Sequence, residues 1–224
     1  MRPDPAHAPS RAAGETAATA ILMRHGETAW NRERRVMGDL DIPLNDTGRA
    51  QAAEAAELLA SFAVDRIIAS PLVRAQETAA IIAARLDVAI ESDPRLVEVR
   101  FGEWQGLTYD EVSLDARYRA FADDPVSNAT PGGDTAATVQ ERGLASLGSL
   151  GAGECALFVT HGDLIRTVLC HFLASPLSAY RRIRTDNGGL SAIAIGRGQP
   201  EIKFLNMLAD PGRARSHTHW SGRM

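Results

Sequence analysis

Short apolar runs punctuate the chain, and between them lie longer stretches in which apolar positions return every three or four residues. The runs at 19–25 (TAILMRH), 64–70 (VDRIIAS), 156–161 (ALFVTH), 190–196 (LSAIAIG) and 200–207 (PEIKFLNM) read as strands, the first of them buried. A further extended piece spans 88–96 (VAIESDPRL). The helical period occupies 47–62, 71–86 and 162–173, with Asn45, Asp46 or Thr47 as candidate caps for the first and Pro71 beside the start of the second. Gly196, Gly198 and Pro200 mark a turn between the last two strands. Strands alternating with helices predict an α/β fold, a three-layer sandwich whose mostly parallel central sheet is flanked by helices. The pattern weakens over 98–143, where Gly102, Gly106, Pro125, Pro131, Gly132 and Gly133 accumulate; this segment reads as a small, partly helical cap inserted over a pocket.

The ends differ from the middle. Residues 1–18, rich in Ala and Pro, read as a flexible leader, and 209–224 as a loose polar tail, which leaves 19–208 as a single domain. Pro3, Pro5, Pro9 and Gly14 interrupt the continuous apolar segment a secretory signal would need. No window reaches the roughly 18 apolar residues of a membrane span. Across all 224 residues, 45% are hydrophobic and 23% charged, as in ordinary globular proteins. The net charge of −4 offers no general attraction to nucleic acid or anionic membranes, so an anionic ligand would have to be held by local cations. Cys155 and Cys170 both sit in apolar surroundings and read as buried thiols in a cytoplasmic protein. His217 and His219 lie one residue apart with no Cys or carboxylate nearby to complete a metal site. Arg181, Arg182 and Arg184 read as a solvated basic face.

Candidate chemistry gathers where the predicted strands end. In an open α/β sheet ligands sit beyond the carboxyl ends of the strands, and three segments fall there: Arg24-His25-Gly26, Ser70-Pro71 with Arg74, and Thr160-His161-Gly162. Neutral imidazole is a nucleophile that can carry a covalent intermediate. To attack phosphorus, one nitrogen must present its lone pair while the proton on the other is held. A glycine directly after the histidine lets backbone approach that second nitrogen. The adjacent arginine offers planar, permanently charged donors that match phosphate oxygens. A lone Arg-His pair carries little, but Arg-His-Gly-Glu arises by chance in a chain of this length with odds on the order of 10⁻³.

LMRHGETAWN at 22–31 resembles the signature of the histidine phosphatase superfamily, the group that includes cofactor-dependent phosphoglycerate mutases. Four more blocks follow in family order: PLNDTGRAQA, IIASPLVRAQETA, RLVEVRFGEWQGLT and LFVTHG. The resemblance implies that His25 is the phosphorylated nucleophile, that Arg24 and Arg74 hold the phosphoryl oxygens, and that His161 completes the pocket. It implies Glu98 as the proton donor, with Glu103 and Asp163 as nearby carboxylates. Asn31, Thr28 and the backbone at Gly162 are candidate substrate contacts, while Glu27 reads as shaping the loop and Asp163 as a helix cap. No metal and no cofactor enter this chemistry, because fixed cationic donors can spread the transition-state charge.

Departures from the mutase pattern narrow the reading. Mutases of the family place arginine directly after the acid glutamate and a tyrosine shortly afterwards; here Val99 follows Glu98, and Phe101 stands near the tyrosine's place. Over 107–130 only Arg117 and Arg119 supply cations, and they are not adjacent. Gln105 replaces the glutamate of the family's Trp-Glu-Gly. The expectation is therefore a phosphomonoesterase for a small phosphate ester, with mutase-type transfer and a silent phosphate-binding protein as the other readings. A homodimer is expected as the commonest oligomer.

Overall fold

The computed structural model describes residues 17–210. Six strands, β1 (Ala18–Arg24), β2 (Arg66–Ala69), β3 (Ile90–Ser92), β4 (Cys155–Thr160), β5 (Leu190–Ile195) and β6 (Glu201–Met207), form one sheet in the order β3-β2-β4-β1-β5-β6. The pairings β3–β2, β2–β4 and β4–β1 are parallel, whereas β1–β5 and β5–β6 are antiparallel. The helices are α1 (Ala29–Arg32), α2 (Asp46–Leu59), α3 (Val73–Leu86), α4 (Tyr109–Val112), α5 (Ala116–Asp123), α6 (Ala136–Leu147) and α7 (Gly162–Phe172). Among the described residues no helix is long and apolar enough to cross a membrane.

Side-chain alternation along β1 creates the three layers. Successive side chains of a strand point to opposite faces, and every residue from Ala20 to Met23 is buried. Ile21 and Met23 join a cluster with Ala55 and Leu59 of α2 and Ala75, Ala79 and Ile82 of α3. Ala20 and Leu22 join the opposite cluster, with Val139 and Leu147 of α6 and Leu164, Ile165, Val168 and Leu169 of α7. That second core also takes in Val99, Phe101, Trp104, Val112 and Phe121. The segment carrying α4 and α5 is therefore anchored by large apolar side chains continuous with the main core. Trp104 is fully buried, packs edge-on to Phe121 at 5.4 Å, and donates its indole N–H to Asp115.

Local signals set the element ends. Of the three candidate caps, Asn45 serves α2, its Oδ1 accepting the Gly48 N–H at 2.8 Å. That helix stops at Leu59 rather than running to 62, and the Ser61 hydroxyl donates to the Leu58 carbonyl at its end. The piece 88–96 yields only three strand residues, because the Asp93 side chain accepts from Arg95 N and Pro94 opens a 3₁₀ turn. His217 and His219 lie outside the described residues, as does most of what reads as leader and tail.

The loop after β1 meets the start of α2 backbone to backbone. A Cβ on Gly26 would run into the Gly48 carbonyl, and one on Gly48 would run into the Glu27 backbone. Overpacking of this kind costs about 1–3 kcal/mol. Gly48→Ala is expected to lower the urea midpoint by that equivalent, and an unchanged midpoint would refute the close approach.

Candidate active site

The register of three parallel strands brings distant segments to one edge. Ala69 of β2 pairs with Val159 of β4, and Thr160 of β4 pairs with Arg24 of β1. The next residues, Ser70, His161 and His25, thus emerge side by side at the carboxyl edge. The rings of His25 and His161 lie 5.2 Å apart. The antiparallel return of β5 brings the loop before it to the same edge, where Thr185 and Asn187 join the site.

His25 is fully buried and its tautomer follows from its partners. Nδ1 lies 2.7 Å from the Gly26 carbonyl, which can only accept, so Nδ1 carries the proton and Nε2 holds the lone pair. Arg74 Nε faces that lone pair at 3.3 Å. Burial, reinforced by the charges of Arg74 and Arg24, holds the His25 pKa well below the ordinary histidine value. The imidazole is therefore neutral at neutral pH. His161 is likewise kept neutral by burial and by Arg74. Its Nε2 is 2.8 Å from Ser70 Oγ, and its buried Nδ1 has no hydrogen-bond partner.

Two guanidiniums flank the imidazoles. Arg74, in the first turn of α3, has no exposed surface; its Nη1 donates to the Leu40 carbonyl and its Nη2 to the Gly38 carbonyl, each at 2.7 Å. Burial pulls its pKa down to about 10, which leaves it charged at neutrality. Arg24 donates Nη1 to the Thr185 carbonyl at 2.8 Å, while its buried Nε has no hydrogen-bond partner. Arg24 Nε and His161 Nδ1 are two of the three buried side-chain polar atoms among the described residues that lack partners. Such orphans are rare in folded proteins; Arg24 Nε and the third orphan, Thr185 Oγ1, both lie close to Gly162, and His161 Nδ1 belongs to the ring 5.2 Å from that of His25.

Glu98 approaches from the other side. Its Oε1 accepts from the backbone N–H of Val99 at 3.1 Å and of Leu164 at 3.3 Å, and its Oε2 from that of Asp163 at 3.3 Å. The carboxyl group thus sits on the N-terminal turn of α7. Burial, together with the negative charge of Asp163, raises its pKa above the usual carboxylate value. Arg142 of α6 ties down the segment leading to it, donating to the carbonyls of Arg95, Val97 and Glu98.

Arg24, His25, Asn31, Arg74, Glu98 and Gly162 line one cleft. His161 is fully buried and does not itself line the cleft; its ring lies 5.2 Å from that of His25, tilted by 57°. Asn31 commits its Oδ1 to Thr28 and to Asn187 Nδ2, leaving its amide donor for a ligand in the cleft. Thr28, expected as a substrate contact, does not line the cleft. Its hydroxyl donates within the loop, to Asn31 and Met37, and caps α1. Asp163 is not the helix cap that the sequence suggested: His161 holds the cap position, and the Asp163 carboxylate pairs with Arg166 while lining the cleft. Glu103 is exposed and pairs with Arg117. Arg184 pairs with Asp186, and Arg181 stacks over Phe121. Among the described residues no three His, Cys, Asp or Glu side chains are grouped closely enough to hold a metal ion.

Several cleft residues escaped sequence reasoning: Met37, Gly38, Tyr109 and Arg166. Only Tyr109 had a readable signal, since Thr108 and Glu111 form a capping box around the start of α4.

The sequence pattern of the histidine phosphatase superfamily (branch 1) matches residues 20–208. Phosphoglycerate mutase-like protein 4 of Arabidopsis thaliana is 39% identical over 161 residues, which cover 67% of this chain and 69% of that protein. The solved structure of a mycobacterial glucosyl-3-phosphoglycerate phosphatase with VO3 is similar with a TM-score of 0.77 at 29% identity, covering 84% of this chain and 98% of that one. The structure of an Entamoeba histolytica phosphoserine phosphatase mutant with phosphoserine is similar with a TM-score of 0.74 at 28% identity, covering 84% and 96%.

The buried imidazoles impose a pH dependence on stability. Their folded-state pKa values lie below the ordinary value near 6.5, so below that pH the unfolded chain takes up protons that the native state refuses. Stability then falls with pH by up to about 1.4 kcal/mol per pH unit for each group. Denaturant midpoints measured from pH 7 to 5 should fall less in His25→Gln than in the native chain. Equal falls would show that His25 is not held neutral.

Proposed function

The chain belongs to branch 1 of the histidine phosphatase superfamily, and from that premise we propose that it is a metal-independent phosphomonoesterase working through a phosphohistidine intermediate. Its substrate is a small phosphorylated metabolite, and it needs no cofactor. It acts in the cytoplasm, without nucleic acid or membrane as partner, and forms a homodimer. The observation that carries the reading is the neutral His25, its Nε2 lone pair turned toward Arg74 and its Nδ1 proton held by Gly26.

The phosphoryl group of the ester occupies the space between Arg24, Arg74 and His161, displacing the Arg74 contact from Nε2. Arg24 Nε and His161 Nδ1 are two of the three partnerless buried side-chain polar atoms among the described residues, and an oxyanion satisfies both: the Arg24 N–H donates, and His161 donates once the Ser70 hydroxyl has set its tautomer. Nε2 attacks phosphorus, the P–O bond to the alcohol breaks, and Glu98 gives its proton to the departing oxygen. Its raised pKa suits a group that must be protonated at that moment. Glu98, now ionised, takes a proton from a water that attacks the phosphohistidine, releasing phosphate and restoring the neutral imidazole. Two fixed guanidiniums spread the charge of the transition state without reorganising.

Two of the similar structures are named as phosphatases, while the Arabidopsis relative is named mutase-like. Hydrolysis is the reading favoured here because Val99 and Phe101 stand where mutases of the family carry arginine and tyrosine. In addition, Arg117 is engaged with Glu103 and Asp115 rather than presented to the cleft. Interconversion of 2- and 3-phosphoglycerate in the presence of 2,3-bisphosphoglycerate, faster than phosphate release, would reverse that choice.

Hydrolysis of p-nitrophenyl phosphate should persist in a chelator and drop by about 10³-fold or more in His25→Ala. Rapid quenching should recover an acid-labile phosphoryl group on the native chain only, and retained turnover in His25→Ala would refute the mechanism. Glu98→Gln should lower kcat/KM for an alkyl phosphate by about 10²–10⁴-fold. It should affect p-nitrophenyl phosphate less, because that leaving group departs without a proton. Equal losses on the two esters would remove Glu98 from the acid role.

A further inference from the structure

Beyond the phosphoryl floor, the cleft wall carries a charged pair that the mechanism does not use. Asp163 and Arg166 stand one turn apart on α7, with Oδ1 and Nη1 2.6 Å apart and side chains only 15% and 12% exposed. Both line the cleft, together with Tyr109 and Phe101. Arg166 is further fixed by donating Nε to the Ile183 carbonyl at 3.1 Å. Asp163 acts electrostatically on Glu98, Arg24 and Tyr109, so the pair borders both the proton donor and the phosphoryl floor.

The charges in this cleft are nearly balanced before any alcohol part arrives. Arg24 and Arg74 match the two negative charges of a phosphomonoester dianion. Arg166 is the remaining cation of the wall, and Asp163 neutralises it. A carboxylate or second phosphate on the alcohol side would therefore meet no uncompensated cation, and would lie beside the Asp163 carboxylate. A hydroxyl group has partners of both kinds there: carboxylate oxygen to accept, guanidinium and phenol to donate.

Resting on the phosphatase reading, we infer that the Asp163–Arg166 pair is a specificity-determining element that selects phosphate monoesters whose alcohol part is uncharged and bears hydroxyl groups. The pair works by leaving no spare positive charge, so it rejects by repulsion as much as it attracts.

Glycerol 3-phosphate and 3-phosphoglycerate test this directly, because they differ only in a hydroxymethyl group against a carboxylate. The ratio of their kcat/KM values, or of their inhibition constants against p-nitrophenyl phosphate, is the readout. The native chain should favour glycerol 3-phosphate by about tenfold or more, the scale of a like-charge penalty. Asp163→Asn should shrink that ratio by about fivefold or more by uncovering Arg166, and Arg166→Gln should widen it by leaving Asp163 uncompensated. General damage to the site cannot move one ratio in two opposite directions. With His25-dependent hydrolysis of p-nitrophenyl phosphate intact, a native ratio near one, or variant ratios that stay put or shift the same way, overturns the inference alone. Absence of any His25-dependent hydrolysis overturns the phosphatase reading itself, and the inference with it.

Discussion

The hydrogen bond from His25 Nδ1 to the Gly26 carbonyl decides which nitrogen of the imidazole faces the cleft, and much of the surrounding structure exists to hold it. The Gly26 N–H donates to Thr78 Oγ1, whose hydroxyl in turn donates to the Arg74 carbonyl. One threonine thus locks the loop after β1 to the helix that carries the guanidinium facing Nε2. The glycine contact with α2 closes the other side. A bulkier residue at either glycine would push the loop away from the helix, and the nitrogen would lose its aim.

That aim is purchased with unfavourable electrostatics. Taking a guanidinium out of water costs several kcal/mol even after relaxation, and Arg74 recovers part of this from the Gly38 and Leu40 carbonyls. Burial, reinforced by neighbouring cations, then forbids the imidazoles a charge of their own. Two guanidiniums, Arg24 and Arg74, thus flank imidazoles that stay neutral. On the proposed mechanism an arriving phosphoryl group relieves repulsion and satisfies hydrogen bonds together, so the site is preorganised for the anion rather than shaped by it.

The parts legible in the sequence were those fixed by periodicity or by local chemistry. The apolar run of β1 ends at Met23, two steps before His25, and a parallel sheet gathers strand ends, so Arg24, His25, Ser70 and His161 were readable as neighbours. Glu98 was named only through the family resemblance. Its geometry depends on α7 amides and on Arg142, far away along the chain. Thr28 and Asp163 were misplaced because local partners hold them: Thr28 caps α1 in a capping box with Asn31, and Asp163 pairs with Arg166. Asn187 comes from the loop before β5 and Tyr109 from the start of α4, and their approach to the cleft depends on the antiparallel return of β5 and on the anchoring of Trp104 and Val112 in the core. Hydrophobic period does not encode strand direction, so these contributions stayed hidden.

The position of β1 has a consequence for how the molecule comes into being on the ribosome. The strand that leads into His25 begins at residue 18, yet its neighbours in the sheet are β4 and β5, which end at residues 160 and 195. No nearer strand can satisfy its backbone N–H and C=O groups. During synthesis it must therefore wait, apolar and unpaired, until most of the polypeptide has been made. Such long-range pairing slows folding and leaves a sticky segment exposed in the meantime. A stalled or shortened translation product would carry His25 but no site around it.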